Sequence, residues 1–346
     1  MEKVKKMLPK FCGFLFFGTM CTFVSAQKIN YQVNPQTGAL QTLSIANDPQ
    51  KMNWLVVTDG SQYRWVKENY GWGLGYATQV KGNRKEKVSW EIPAEMKQEG
   101  NELVYMAGDI RICVKRKMVE DELIEEYTFR NQGKDKVALV DIGVYTPFND
   151  NYPGSRTCIN TRTNTHIWEG ENAAYVNALR MGGHAPHLGL VLTKGAVKGY
   201  EIWERGRDKG NSHTRGIIAL NLPDLQLMPG KEYSMSWCLF AHKGIDDFRQ
   251  KLLEKGSVFV SCNKYVFEKG EKACIELAAE TSIQKCVLKN QDIHIPMKKR
   301  GNLWIAEVKM DQLGENRFDI FYGKGKQTHV TCLVIDNVDS LIKKTG

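Results

Sequence analysis

Apolar and polar residues alternate along most of this chain. "ALQTLSIAND", "NWLVVTDG", "KVSWEIPAEM", "ELVYMAGDIRICVKRKMV", "ELIEEYTFRNQG" and "VALVDIGVYTPF" are short β-rich runs, separated by Gly, Asn, Asp and Lys. That spacing predicts strands joined by turns. In "DELIEEYTFRN" charged residues interleave with apolar ones, as on a sheet with one face in water. "GLVLTKGAVKGYEIWERG" predicts two strands joined at Lys194-Gly195, and "GIIALNLPDLQLMPGKEYSMSWCLFAHKG" predicts more, with "MPGKEY" as a tight turn. One segment has helical period. "GIDDFRQKLLEKG" places Ile245, Phe248, Leu252 and Leu253 on one face, Asp246 and Asp247 at the start, and Gly256 after the end.

Beyond that helix about 80 residues, from "VFVSC" to "TCLVI", hold roughly seven short strands spaced as in a small β-sandwich. The expected division is a large β domain over 28–245, a helical linker over 246–256, an Ig-like sandwich over 257–336, and the stub of a following helix over 337–346.

The first 26 residues do not continue the strand pattern. "MEKVKKMLPK" carries four lysines and one glutamate; "FCGFLFFGTMCTFV" is apolar but short of the ~20 residues of a membrane span. "VSA" then places small residues before Gln27, as in a secretory signal peptide. Thr19-Met20-Cys21 fits a lipoprotein signal poorly. The expected product is secreted or periplasmic, with no membrane span.

Removing that segment takes three positive charges from the formal net charge of +9, leaving +6. The remaining Lys and Arg are interleaved with Asp and Glu, so no nucleic-acid partner is expected. Seven of the nine cysteines lie beyond residue 26, without a CxxC. Several sit in apolar alternation, as in "DIRICVKR", "MSWCLF" and "THVTCLVI", and the set reads as small buried hydrophobes more than as a disulfide scaffold. A bridge between two of the four C-terminal ones, Cys262, Cys274, Cys286 and Cys332, fits an oxidising compartment.

Four stretches offer candidate chemistry. In "GGHAPH" His184 and His187 stand three apart around Pro186. A metal site needs further ligands, and no HExxH is present, so no metal or cofactor is expected. The two histidines are the best catalytic candidates, as an acid or base beside a sugar hydroxyl, against the alternative of hydrogen-bonded loop residues. "NTRTNTHIWEGENAAYVNALRMGG" is rich in groups that suit a sugar: His166, Trp168, Glu169, Asn172 and Arg180. The alternative is a loop network packing a sandwich edge or a neighbouring domain. "ENYGWGLGYATQ" adds Tyr70 and Trp72 as stacking faces, although such aromatics more often belong to a core. Its glycines allow close backbone approach or bulges and lack the βαβ context of a phosphate loop. The carboxylates of "VEDELIEE" resemble a wet sheet face, divided between faces by alternation.

"EYTFRN" followed by a strand ending in "PF" resembles the galactose-mutarotase-like β-supersandwich. "HIWEGENAAYVNALRMGGHAPHLGLVL" followed by "YEIWERG" is similar to the N-terminal part of large secreted bacterial glycan-degrading enzymes. The resemblance covers roughly residues 30–335. It implies an all-β fold: a mutarotase-like antiparallel supersandwich followed by a small Ig-like sandwich. It also implies a poly- or oligosaccharide partner, and a catalytic (α/α)-toroid that this sequence lacks. The implied role is an accessory or truncated part of a glycoside hydrolase or polysaccharide lyase. A stand-alone sugar epimerase or glycosidase, and a non-catalytic structural or adhesion module, remain open alternatives.

Overall fold

The structure is a computed structural model, and it describes residues 27–57, 70–91, 96–203, 216–337 and 342–343. The expected signal peptide and most of the expected C-terminal stub lie outside those residues.

Strand alternation closes into two facing sheets. The larger has eight antiparallel strands in the spatial order Thr163–Trp168, Tyr175–Arg180, His187–Lys194, Glu232–His242, Glu122–Asn131, Ile110–Val119, Glu102–Ala107 and Met96–Glu99. The smaller runs Gly199–Trp203, Ile217–Asn221, Val137–Tyr145, Gly75–Lys81 and Arg84–Ser89, with Leu225–Leu227 alongside Val137–Tyr145. One hydrophobic core joins them. Leu123, Tyr127, Phe129 and Trp237 enter it from the large sheet, and Ala77, Leu139 and Val144 from the small one. Within the small sheet Gly75 allows close packing, because a Cβ there would run into the Gly143 carbonyl of the neighbouring strand and the Trp90 ring.

Glu122–Asn131 shows the logic and one departure from it. Leu123, Tyr127 and Phe129 are buried and Glu122, Ile124, Glu126 and Thr128 are half-buried. The inward row also contains Glu125, whose side chain is fully buried. This carboxylate is therefore not part of the wet face expected for "VEDELIEE". It accepts the indole N–H groups of Trp72 and Trp237, each at 2.7 Å, and pairs with Arg116 Nε at 2.5 Å. A buried charge is tolerated where it is paired and hydrogen-bonded in this way.

The helix forms over Ile245–Glu254. Phe248 and Leu252 bury against Val191, Cys238 and Phe240 on the outer face of the large sheet. Ile245, expected on the same face, opens the helix and stays 48% exposed. A second helix, Ser155–Thr161, was not expected from the sequence. It has no side-chain cap, no acidic residue in its first turn and no buried residue, so it carries none of the usual signals.

The C-terminal region is a two-sheet sandwich of nine strands rather than roughly seven. Four are Phe259–Cys262, Lys272–Ala278, Leu303–Lys309 and Lys298–Arg300. Five are Val266–Glu268, Lys326–Ile335, Gly314–Tyr322, Ile283–Leu288 and Ile293–Ile295. Several are only three residues long, too short to announce themselves by alternation. This region has its own core around Ile275, Leu277, Phe318, Ile320 and Val330. Ala173, far back in the chain, is buried in that core too.

Candidate functional site: a groove at the sandwich edge

Two edge strands, Thr163–Trp168 of the large sheet and Gly199–Trp203 of the small one, border a groove of about 310 Å³. Its polar lining includes Asp150, Thr163, Asn164, Thr165 and His166. Ile167, Ile202 and Ile218 supply apolar wall, and Tyr152 and Tyr200 flank it. The two tyrosines are 51% and 43% exposed, so both rings stand at the protein surface. Alternation explains the mixture: Ile167 packs on the core, while Asn164 and His166 are exposed. Flat apolar faces beside hydroxyl, amide, imidazole and carboxylate groups match a sugar's C–H faces and polar rim.

His166 is the candidate that the structure brings to this groove. Asp150, Tyr152 and Tyr200 were not singled out by sequence. "YEIW" carried the only signal, an aromatic beside a carboxylate on an edge strand.

The next residues of the same segment turn to the C-terminal sandwich. Trp168 packs against its core and lies stacked near Tyr175 and His329, each with ring centroids 6.4 Å apart. The Asn172 amide donates to the Gly195 carbonyl at 2.7 Å and accepts the Gln327 backbone N–H at 2.9 Å. Beside it, Glu171 pairs with Arg317 at 2.7 Å. Burial pushes the Glu169 carboxyl up, with the Arg317 guanidinium opposing. Burial likewise pushes His329 down. Trp168 and Asn172, expected to touch sugar, instead fasten the two sandwiches together.

The remaining candidates are corrected by burial. Tyr70 and Trp72 are 3% and 0% exposed and offer no face for stacking. Tyr70 meets Tyr145 edge-on at 5.4 Å, and Trp72 is committed to Glu125. Arg180 is 1% exposed; its Nη2 lies 2.8 Å from Asp48, its Nη1 donates to the Asn160 carbonyl, and its guanidinium sits 5.7 Å from the Trp54 ring centre. The contact with Asp48 is ionic, at an angle short of a hydrogen bond, and Arg180 Nε has no hydrogen-bond partner among the described residues.

The "GGHAPH" histidines part company. His184 is exposed, whereas His187 is buried and its Nδ1 accepts the Arg180 backbone N–H at 3.1 Å. Burial, then the Arg180 charge, pushes the His187 imidazole down. His187 is thereby a neutral, committed acceptor and not an acid or base open to a sugar.

A second hollow, of about 280 Å³, lies on the small sheet and is lined by Tyr76, Thr78, Lys87, Asp141 and Glu201 among others. Its tyrosine is engaged, donating to Glu201 at 2.7 Å. Among the described residues no three His, Cys, Asp or Glu cluster as metal ligands. No described helix is long and apolar enough to cross a membrane.

No family model matches this chain, and neither does any curated protein. The chain resembles a solved polysaccharide lyase. The two are 55% identical over 92% of this chain, with a TM-score of 0.85. The chain spans about half of that lyase, 48% of its length. Two further solved structures are each 10% identical to it. A putative aldose 1-epimerase from Escherichia coli K12 covers 63% of this chain and 97% of its own, with a TM-score of 0.37. A galactose mutarotase-like protein from Lactobacillus casei covers 62% and 98%, with a TM-score of 0.39. The fold is an all-β antiparallel sandwich, and the similarity at 55% identity is to a polysaccharide lyase.

Proposed function

We propose that this chain is the exported, saccharide-engaging β-sandwich part of a polysaccharide-cleaving enzyme, acting as an accessory to a catalytic domain. The observation that carries this reading is the 55% identity to a polysaccharide lyase, sustained over 92% of the chain. The edge groove supplies the means. Tyr152 and Tyr200 stack on sugar faces, while Asn164, His166 and Asp150 bond to hydroxyls along the strand edge. An acidic oligosaccharide is the ligand class to try first, because the net charge of +6 left after removal of the first 26 residues favours its approach.

A second reading has one observation behind it. His166 and Asp150 line one groove, and an imidazole with a carboxylate is also the equipment of an epimerase or glycosidase.

Titration calorimetry of the purified chain against a panel of acidic and neutral oligosaccharides tests the proposal. Tyr200→Ala and His166→Ala are each expected to weaken binding about tenfold, near 1.4 kcal/mol. Both side chains are exposed or half-exposed, so the fold is expected to survive. Binding that is unchanged in both variants would reject the groove. Turnover of any panel member by the isolated chain would favour the second reading.

A further inference from the structure

Four cysteines lie in the C-terminal sandwich, all present as free thiols. Two of them face each other across its core. Cys332, fully buried on Lys326–Ile335 of the five-stranded sheet, directs its S–H at Cys262, and the sulfurs are 4.0 Å apart. Cys262 ends Phe259–Cys262, the edge strand of the four-stranded sheet. Just beyond it the chain is pinned, because Leu333 N donates to the Tyr265 carbonyl at 2.8 Å.

The neighbouring thiols are directed elsewhere. Cys274 alternates with the core residues Ala273 and Ile275 and so points off the opposite face of its sheet. Cys286 is buried on a different strand, Ile283–Leu288. Outside this region Cys238 meets Glu122, and Cys113 meets Arg111.

We propose that Cys262 and Cys332 are a modification site, forming an inter-sheet disulfide when the protein meets a disulfide oxidant. Cys262 is half-buried and reachable, whereas Cys332 is fully buried. The Cys332 S–H, together with backbone groups of Lys264, Asn263 and Cys274, stabilises the Cys262 thiolate and pulls its pKa down, while burial opposes. Cys332 is pushed up by the same contact and by burial. Cys262 is therefore the attacking group.

Its thiolate attacks one sulfur of oxidised glutathione, forming a mixed disulfide and releasing one glutathione thiolate. Cys332 then gives up its proton and attacks the Cys262 sulfur, releasing the second glutathione thiolate. Two protein thiols are oxidised and one small disulfide is reduced to two thiols. The sulfurs need close only from 4.0 Å to about 2.05 Å.

The bond would join positions 70 residues apart. It would also fix an edge strand that has one neighbouring strand and whose Phe259 stacks on Tyr175 at 5.9 Å. The disulfide thus locks both the C-terminal sandwich and its junction with the first.

The test is to incubate the purified full chain with excess oxidised glutathione, alkylate remaining thiols, and map peptides without reduction. The expected result is a linked peptide pair containing Cys262 and Cys332, two fewer free thiols per chain, and a melting temperature raised by on the order of 5 °C and reversed by reductant. Cys274→Ala should form the bond normally. Cys332→Ala should show no shift and should retain glutathione on Cys262. Recovery of both Cys262 and Cys332 fully alkylated from the wild type, or linkage of either to Cys274, would overturn the proposal. Mapping of the wild type decides this even where a variant fails to fold.

Discussion

Replacing Glu125 by Gln probes what holds the first sandwich together. The native carboxylate is fully buried, takes two indole N–H groups on one oxygen, and faces Arg116 Nε with the other. In Glu125→Gln the amide oxygen still accepts both indoles. The amide NH₂ then opposes the guanidinium, donor against donor, and Arg116, 5% exposed, is left without a counter-charge. Breaking a buried pair from one side costs about 3–5 kcal/mol. That is a large part of the ~5–15 kcal/mol that stabilises a domain. Urea unfolding followed by tryptophan fluorescence reads it directly, because Trp72 and Trp237 are reporters inside the network. Adding Arg116→Met removes the orphaned charge and should recover at least about 1 kcal/mol, since apolar replacement of a buried pair is often near neutral. A single-variant cost below about 1 kcal/mol, or a double variant as unstable as the sum of the two singles, would refute this account of the core.

Two further predictions follow from other sites. Burial, and then His187, pushes the fully buried His242 down to about 4, while an unfolded imidazole titrates near 6.5. Between those values the unfolded chain holds the extra proton, so stability present above pH 6.5 is lost as pH falls towards 4; at pH 5 the loss is about 2 kcal/mol. Urea midpoints at pH 7, 6 and 5 should show this decline in wild type and a shallower one in His242→Gln; parallel declines would contradict it. Arg317→Ala removes the partner of Glu171 at the junction. It should increase proteolysis near the junction while leaving saccharide affinity unchanged, and limited digestion beside a binding titration checks both.

Much of the fold was legible because strand alternation reports which face meets the core. Ile245–Glu254 was legible too, from Phe248 and Leu252 at helical spacing and the glycine beyond them. The site was harder to see. Trp168 and Asn172 carry sugar-like chemistry, but their partners His329 and Gln327 lie in the other sandwich, so no local pattern separates a binding face from a docking face. Glu125 reads as one more charge on a wet strand, and its indole partners are 53 and 112 residues away. Tyr70 and Trp72 sit among glycines that resemble a loop. Those glycines serve close packing, and the aromatics fill the core. The groove is formed by two edge strands that meet only in three dimensions, which hides Tyr152, Asp150 and Tyr200 as a set.

Hydrogen–deuterium exchange with and without a bound oligosaccharide tests the central claim most directly. Slowed exchange confined to residues 150–152, 163–167 and 199–203, with residues 70–77 and the C-terminal sandwich unchanged, is the predicted result. Protection elsewhere, with none along those two edge strands, would place the saccharide outside the groove and contradict the assignment.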